Sequence, residues 1–231
     1  MKVTLICLPF AGAGASFFRS WPEHARGAID VRAVQLPGRE ELIDEEPFAD
    51  VATAAKAIAA DLAATLPPAA PVALFGHSLG AVLAYELAHL LNAAGDRELR
   101  GLFVSGSPAP AQGRKQHASG LSDDEFLARV AEFAGYRHEA LDDPEMREMV
   151  LPALRADVRM HEEYVPGHDR SLGVPITVLR GADDDLVSAA DAGGWNSVGS
   201  HGVEVIELPG GHMYLTETAP AVVRLIASAV L

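Results

Sequence analysis

The sequence has few positive charges and only one cysteine. Its 231 residues include 18 lysines and arginines against 32 aspartates and glutamates, which gives a formal net charge of −14. Phosphate contacts need clustered cations, so this balance argues against nucleic acids and anionic membrane surfaces as partners. The lone cysteine, Cys7, excludes an intrachain disulfide and favours a reducing compartment, so we expect a cytoplasmic protein.

Long apolar runs are also missing. No stretch of about 18 residues is free of both charges and turn signals, so we expect no membrane span. The apolar start faintly resembles a signal peptide, but Pro9, Gly12 and Gly14 interrupt it, and a first strand followed by a loop is the better interpretation. The chain is 49% hydrophobic. That content is enough for one sizeable core, and we expect a single domain over residues 1–231.

Short apolar runs alternate with helical patterns along most of the chain. The runs predict six strands, at Val3–Leu8, Val31–Leu36, Pro71–Phe75, Leu99–Val104, Val174–Leu179 and Val203–Leu208. Helical spacing lies between them, at Asp50–Leu66, Ala81–Ala94 and, with Pro220 in its first turn, Thr218–Leu231. This alternation is typical of the α/β class, with a mostly parallel sheet covered by helices on both faces.

The segment from about Ala109 to about Arg170 interrupts that alternation. It contains amphipathic helical patterns at Ser122–Phe133, where Ser122 and Glu125 form a capping box, and at Pro144–Tyr164. Insertions at the carboxyl end of a strand commonly cover an active site, so we expect a helical lid at about 109–170. The alternative is a helical subdomain that only adds stability.

The most informative motif is Gly76-His77-Ser78-Leu79-Gly80, which follows a predicted strand and precedes a predicted helix. Strand, sharp turn and helix are the context of a nucleophile elbow, in which Ser78 is held in a strained conformation with its hydroxyl presented to substrate. The glycines allow strand and helix to cross closely. Without a catalytic role, the serine would only cap the helix.

A serine nucleophile needs a base and a group that orients the base. His212 follows the last predicted strand in a Gly-Gly turn, and Asp184 follows the strand before it. The order Ser…Asp…His is that of α/β-hydrolases. Asp184 is preferred because Gly181 and Val187 frame it with the spacing common in that fold, and Asp183 is the runner-up. The other eight histidines lie in the elbow, on its helix, in the expected lid or in polar segments.

The oxyanion of such a reaction needs two N–H donors. The residue after the nucleophile, Leu79, is one candidate, and the small-residue loop after the first strand supplies the other, Ala11, with Gly12 as the alternative. The acidic run 183–185 lacks further oxygen ligands at defined spacing, so we expect no metal site. These residues predict a serine acyl-hydrolase or acyltransferase without a cofactor.

The chain resembles the stand-alone type II thioesterases that accompany polyketide synthases and non-ribosomal peptide synthetases. The resemblance runs nearly end to end, over 8–12, 35–40, 75–80, 151–157 and 210–212. Its most specific parts are Leu36-Pro37-Gly38-Arg39-Glu40 and Leu154-Arg155-Ala156-Asp157. It implies an α/β-hydrolase fold, the triad Ser78, Asp184 and His212, and an oxyanion hole from Ala11 and Leu79.

The implied substrate is an acyl thioester on the phosphopantetheine arm of an acyl- or peptidyl-carrier protein. The implied role is removal of stalled or mis-primed acyl groups. The chain continues with Glu41 where the family often has another arginine, so a basic docking contact can be absent or moved. Arg114 and Lys115 are candidates for docking, and Met146 and Met149 for an adaptable acyl pocket.

Three alternatives to this function stay open. Medium-chain fatty acid synthase thioesterases share most of these motifs. An ester or amide hydrolase acting on small molecules would use the same fold and triad. A non-catalytic carrier-binding module on a decayed scaffold is the third alternative.

Overall fold

The computed structural model describes residues 1–134, 141, 143–167 and 171–231. Six parallel strands form one sheet in the order β2-β1-β3-β4-β5-β6. The strands are β1 (Thr4–Leu8), β2 (Asp30–Ala33), β3 (Val72–His77), β4 (Leu99–Ser105), β5 (Ile176–Gly181) and β6 (Val203–Leu208). The predicted α/β class with a parallel sheet is confirmed.

In the described residues, seven α-helices connect or follow the strands. They are α1 (Trp21–Ala25), α2 (Val51–Thr65), α3 (Leu79–Ala94), α4 (Asp123–Ala134), α5 (Pro144–Glu162), α6 (Ala189–Gly193) and α7 (Leu215–Val230). Within the described part of the chain, no helix combines the length and apolar character needed to span a bilayer.

The two faces of the sheet carry separate apolar clusters because strand side chains alternate. On β3, Val72 and Leu74 face one cluster with residues of α2 and α3, while Ala73 and Phe75 face the other with residues of α1 and α7. All six β3 residues are buried. A strand covered on both faces explains why its first four residues, Val72–Phe75, are all apolar.

Parallel pairing brings the carboxyl ends of the strands to one edge of the sheet. His77 of β3 pairs with Ser105 of β4, Ser105 pairs with Leu179 of β5, and Gly181 pairs with Leu208 of β6. The loops that begin after β3, β5 and β6 therefore open at the same edge, which is where ligands bind in open α/β sheets.

The helices α4 and α5 form the helical insertion between β4 and β5. Their apolar faces make a third cluster that includes Phe126, Leu154 and Val158, and Ala11 and Leu186 pack against it from the body. The Glu125 side chain reaches back to Ser122 as the predicted capping box requires, accepting from the Ser122 N–H at 3.2 Å and from Ser122 Oγ at 2.6 Å. Part of the expected lid, residues 135–140, 142 and 168–170, lies outside the described residues. That part includes His138, His168 and Arg170.

Several element boundaries differ from the prediction by a few residues, among them those of β2, α7 and α3. β2 ends at Ala33 rather than Leu36, because Gln35 turns its amide Nε2 to the carbonyl groups of Leu36 and Arg39. Helix α7 begins at Leu215 rather than Thr218. Pro220 was expected in the first turn of this helix and instead lies after it. Helix α3 begins at Leu79, directly after the elbow serine.

Candidate active site

Ser78 sits at the junction of β3 and α3 with φ 53° and ψ −114°, a backbone region that is rarely open to residues other than glycine. The close crossing of strand and helix explains the flanking glycines. A Cβ on Gly76 would lie 1.9 Å from the carbonyl oxygen of Gly80, and a Cβ on Gly80 would lie 2.3 Å from that of Leu8. The elbow geometry expected from the motif is therefore present.

His212 and Asp184 lie together at the same sheet edge. The His212 Nδ1 donates to Asp184 Oδ2 at 3.0 Å. The two loops approach closely, since a Cβ on Gly181 would lie 2.2 Å from the carbonyl oxygen of Gly211. Asp184 is 4% exposed, whereas Asp183 is exposed to solvent. Of the two candidate acids, Asp184 contacts the histidine.

The Asp184 carboxylate is held ionised by its neighbours. Burial on its own raises the pKa of Asp184, but the hydrogen bond and charge of His212 and the backbone N–H groups of Leu186 and Val187 lower it below the usual range. Those two N–H groups donate to Asp184 Oδ1 at 2.9 Å and 3.1 Å. One oxygen is thus fixed by the backbone, and the other is left for the histidine.

His77 makes a contact that sequence reasoning missed, because its place in the elbow gives no sign that it lies beside His212. Its ring lies 4.9 Å from the ring of His212. His77 Nδ1 is 2.8 Å from Ser105 Oγ, which is 2.6 Å from Tyr214 Oη. Burial, together with His212 and His161, lowers the pKa of His77 well below its usual value, so this ring is neutral. The hydrogen bonds from His77 to Ser105 and Tyr214 therefore anchor the ring that packs against the candidate base, His212.

The loop after β1 holds the candidate oxyanion donors. A Cβ on Gly80 would also lie 2.9 Å from the carbonyl oxygen of Pro9, so this loop crosses over the start of α3. Leu79 is the first residue of that helix. The Gly12 N–H donates to Asp157 Oδ2 at 2.8 Å and is therefore engaged. This favours Ala11 over Gly12 as the second donor.

A partly open cleft reaches His212 from the side of the helical insertion. Arg114 lies in its wall, 3.3 Å from His161 and above the ring of Phe133. Burial lowers the pKa of Arg114, opposed by Glu162 and Asp184. The remaining lining includes Gly106, Pro108, Lys115, Gln116, Leu186 and Val187.

These positions bear on the expectations about docking and the acyl pocket. Arg114 is half-buried in the wall of the cleft, whereas Lys115 is exposed and pairs with Asp191 at 2.7 Å. Met146 and Met149 are 39% and 52% exposed, and neither lines the cleft. Among the described residues, no group of three or more acidic, histidine or cysteine side chains is arranged to hold a metal ion.

Comparison with known proteins agrees with this geometry. The thioesterase domain family matches residues 3–230. The chain is 32% identical over 218 residues to the gramicidin S biosynthesis protein GrsT of Aneurinibacillus migulanus, covering 94% of this chain and 84% of that protein. It is 37% identical over 228 residues to the AMB antimetabolite synthetase AmbE of Pseudomonas aeruginosa, covering 97% of this chain but only 10% of that protein.

Solved structures give the same result. The type II thioesterase BorB from the borrelidin biosynthetic cluster superposes with a TM-score of 0.87 at 35% identity, covering 100% of this chain and 92% of that one. The fold, the elbow at Ser78 and the sequence similarity therefore all indicate the same family. The chain belongs to the thioesterase domain family, and it is similar to type II thioesterases of polyketide and non-ribosomal peptide pathways.

Proposed function

We propose that this chain is a serine thioesterase that hydrolyses acyl groups from the phosphopantetheine arm of acyl- or peptidyl-carrier proteins. Ser78 is the nucleophile, His212 the base and Asp184 the orienting acid. The observation that carries the proposal is the strained Ser78 at the same sheet edge as the hydrogen-bonded Asp184–His212 pair. The candidate nucleophile, base and orienting acid are all present in the chain, which argues against a decayed, non-catalytic module.

The reaction follows from the hydrogen bonds. Asp184 accepts the Nδ1 proton of His212, so the free Nε2 is the basic nitrogen. It takes the proton of Ser78, whose Oγ attacks the thioester carbonyl. The N–H groups of Leu79 and Ala11 stabilise the oxyanion. The pantetheine thiol leaves with the proton, and water activated by the same histidine then releases the carboxylic acid from Ser78.

Two observations support a carrier-bound substrate. The similar proteins named above come from pathways that assemble gramicidin S and borrelidin. In addition, the cleft beside His212 is partly open, which gives a flexible arm a route toward the candidate base. The pantetheine belongs to the substrate, so the proposal includes no metal or redox cofactor. We assign the removal of stalled or mis-primed acyl groups, in the cytoplasm, as the role.

The substrate comparison that tests this proposal uses one acyl group on three leaving groups. We expect kcat/KM to fall from acyl-carrier protein to acyl-CoA to the p-nitrophenyl ester. Equal values for the carrier and CoA would show that the protein partner contributes nothing. A preference for the p-nitrophenyl ester would favour a small-molecule ester hydrolase. Selectivity for medium-length chains on a fatty acid carrier would favour the fatty acyl alternative.

A further inference from the structure

Arg39 and Asp157 form a buried ion pair that the reaction above does not use. Arg39 is 7% exposed and Asp157 is 1% exposed. The guanidinium binds both carboxylate oxygens, with Nη2 to Oδ1 at 2.9 Å and Nη1 to Oδ2. The two residues are 118 positions apart and belong to the two most specific motifs of the sequence. Burying two charges is costly, so a gain in stability alone does not account for this pair.

The pair holds the backbone of the candidate oxyanion loop on both sides of its turn. Asp157 Oδ2 accepts from the Gly12 N–H at 2.8 Å, and Arg39 Nη1 donates to the Ala13 carbonyl at 3.2 Å. These contacts fix the Gly12 N–H and the Ala13 carbonyl group, which belong to the peptide units that follow Ala11. A peptide unit is planar, so fixing its neighbours limits the direction in which the Ala11 N–H can point.

The helical insertion also constrains this turn through packing. Asp157 and Leu154 both lie on α5, and a Cβ on Gly12 would lie 2.8 Å from Leu154 Cδ1. Gly12 has φ +78°, a left-handed conformation that a larger residue would adopt only with strain. The turn is therefore held by one charged and one apolar contact from the same helix.

We propose that Asp157 and Arg39 are positioning residues that aim the Ala11 N–H at the oxyanion, so that helix α5 sets the geometry of the oxyanion hole. This inference rests on the proposed function. It assigns neither residue a contact with substrate. It predicts that losing the pair impairs the transition state rather than substrate binding.

The test uses a double variant, Arg39→Met with Asp157→Leu. Replacing both partners of a buried ion pair with apolar residues is often tolerated, whereas removing one leaves an unpaired charge. The double variant should fold, as judged by circular dichroism and thermal unfolding. Losing an oxyanion donor typically costs about 100- to 1000-fold, so misaiming one should lower kcat by roughly 10- to 100-fold. KM should change by less than about threefold.

A matched control comes from an ion pair that the same helix makes with α4. Arg155 pairs with Asp123 at 2.6 Å and is not in contact with the oxyanion loop. Asp123→Asn should leave kcat unchanged. A second readout is inhibition by a boronic acid that mimics the tetrahedral adduct, compared with binding of a non-hydrolysable thioether analogue. The boronate should lose affinity in proportion to kcat, and the thioether should bind as it does to the wild type.

Each outcome decides the inference. A folded double variant with wild-type kcat, or one in which thioether and boronate lose affinity equally, overturns it. If the double variant does not fold, Asp157→Asn and Arg39→Lys are judged by the same criteria. If the wild type hydrolyses no thioester, the proposed function fails. The inference is then judged by the rate at which a fluorophosphonate labels Ser78, which should fall in the double variant and not in Asp123→Asn.

Discussion

Asp184→Asn should disable the enzyme by reversing the histidine tautomer. The backbone N–H groups of Leu186 and Val187 donate to Oδ1 of residue 184, so an asparagine should place its carbonyl oxygen there. Its NH₂ group then faces His212 Nδ1, which must become an acceptor. The proton moves to Nε2, the nitrogen that has to accept from Ser78.

The expected loss follows from that geometry. A comparable substitution in another Ser-His-Asp enzyme lowers kcat by about 10⁴-fold, which is a barrier increase of roughly 5 kcal/mol. We expect a loss of about 10³- to 10⁴-fold here. The assay is kcat/KM for one acyl-carrier substrate, with circular dichroism to show that the variant folds.

Asp183→Asn is the matched control, since Asp183 is exposed in the same loop. It should retain activity within about threefold of the wild type. The reasoning is refuted if Asp184→Asn stays within tenfold of the wild type, or if Asp183→Asn is the inactive variant.

The remaining predictions concern backbone strain and buried histidines. Gly106→Ala puts a Cβ 2.4 Å from the ring of His77, which packs on the histidine base, so kcat should fall at least about tenfold. The control is Gly95→Ala at the end of α3, where φ is also positive but the space is open, and it should not change kcat. Ser78→Gly should abolish turnover, yet its free energy of unfolding should exceed that of Ser78→Ala by about 1 kcal/mol, because glycine relieves the strained φ and ψ. Equal denaturant midpoints for the two variants would count against strain. Burial lowers the pKa of His77 and His161 well below the 6.5 of an unfolded histidine, so only the unfolded state gains protons as the pH falls. The free energy of unfolding should drop by up to about 2 kcal/mol per histidine between about pH 7.5 and pH 5, and a flat urea-unfolding profile over that range would contradict this.

The parts of this protein that could be predicted from sequence are those with local causes. The elbow at Ser78 is encoded by two glycines within five residues, and the strands by short apolar runs. Asp184 was chosen over Asp183 from spacing alone, and the structure gives the physical reason, since only one of the two side chains is buried.

The parts that could not be predicted depend on contacts between distant segments. His77 meets Ser105 because β3 and β4 pair in one register, which no local pattern specifies. The only hint of this contact in the sequence was the position of Ser105, directly after the predicted strand that follows the elbow helix. Asp157 reaches Gly12 across 145 residues, and its motif was recognisable only as a similarity, without a stated role.

The most direct test of the central claim is a single-turnover experiment with an acyl-carrier protein. Wild-type enzyme and Ser78→Ala are mixed with the acylated carrier, quenched at short times and digested for mass spectrometry. The account predicts acylation of the peptide that contains Ser78, release of the acid by the wild type, and a loss of hydrolysis of several orders of magnitude in Ser78→Ala. Hydrolysis by Ser78→Ala within tenfold of the wild type, without an acylated peptide, would contradict it.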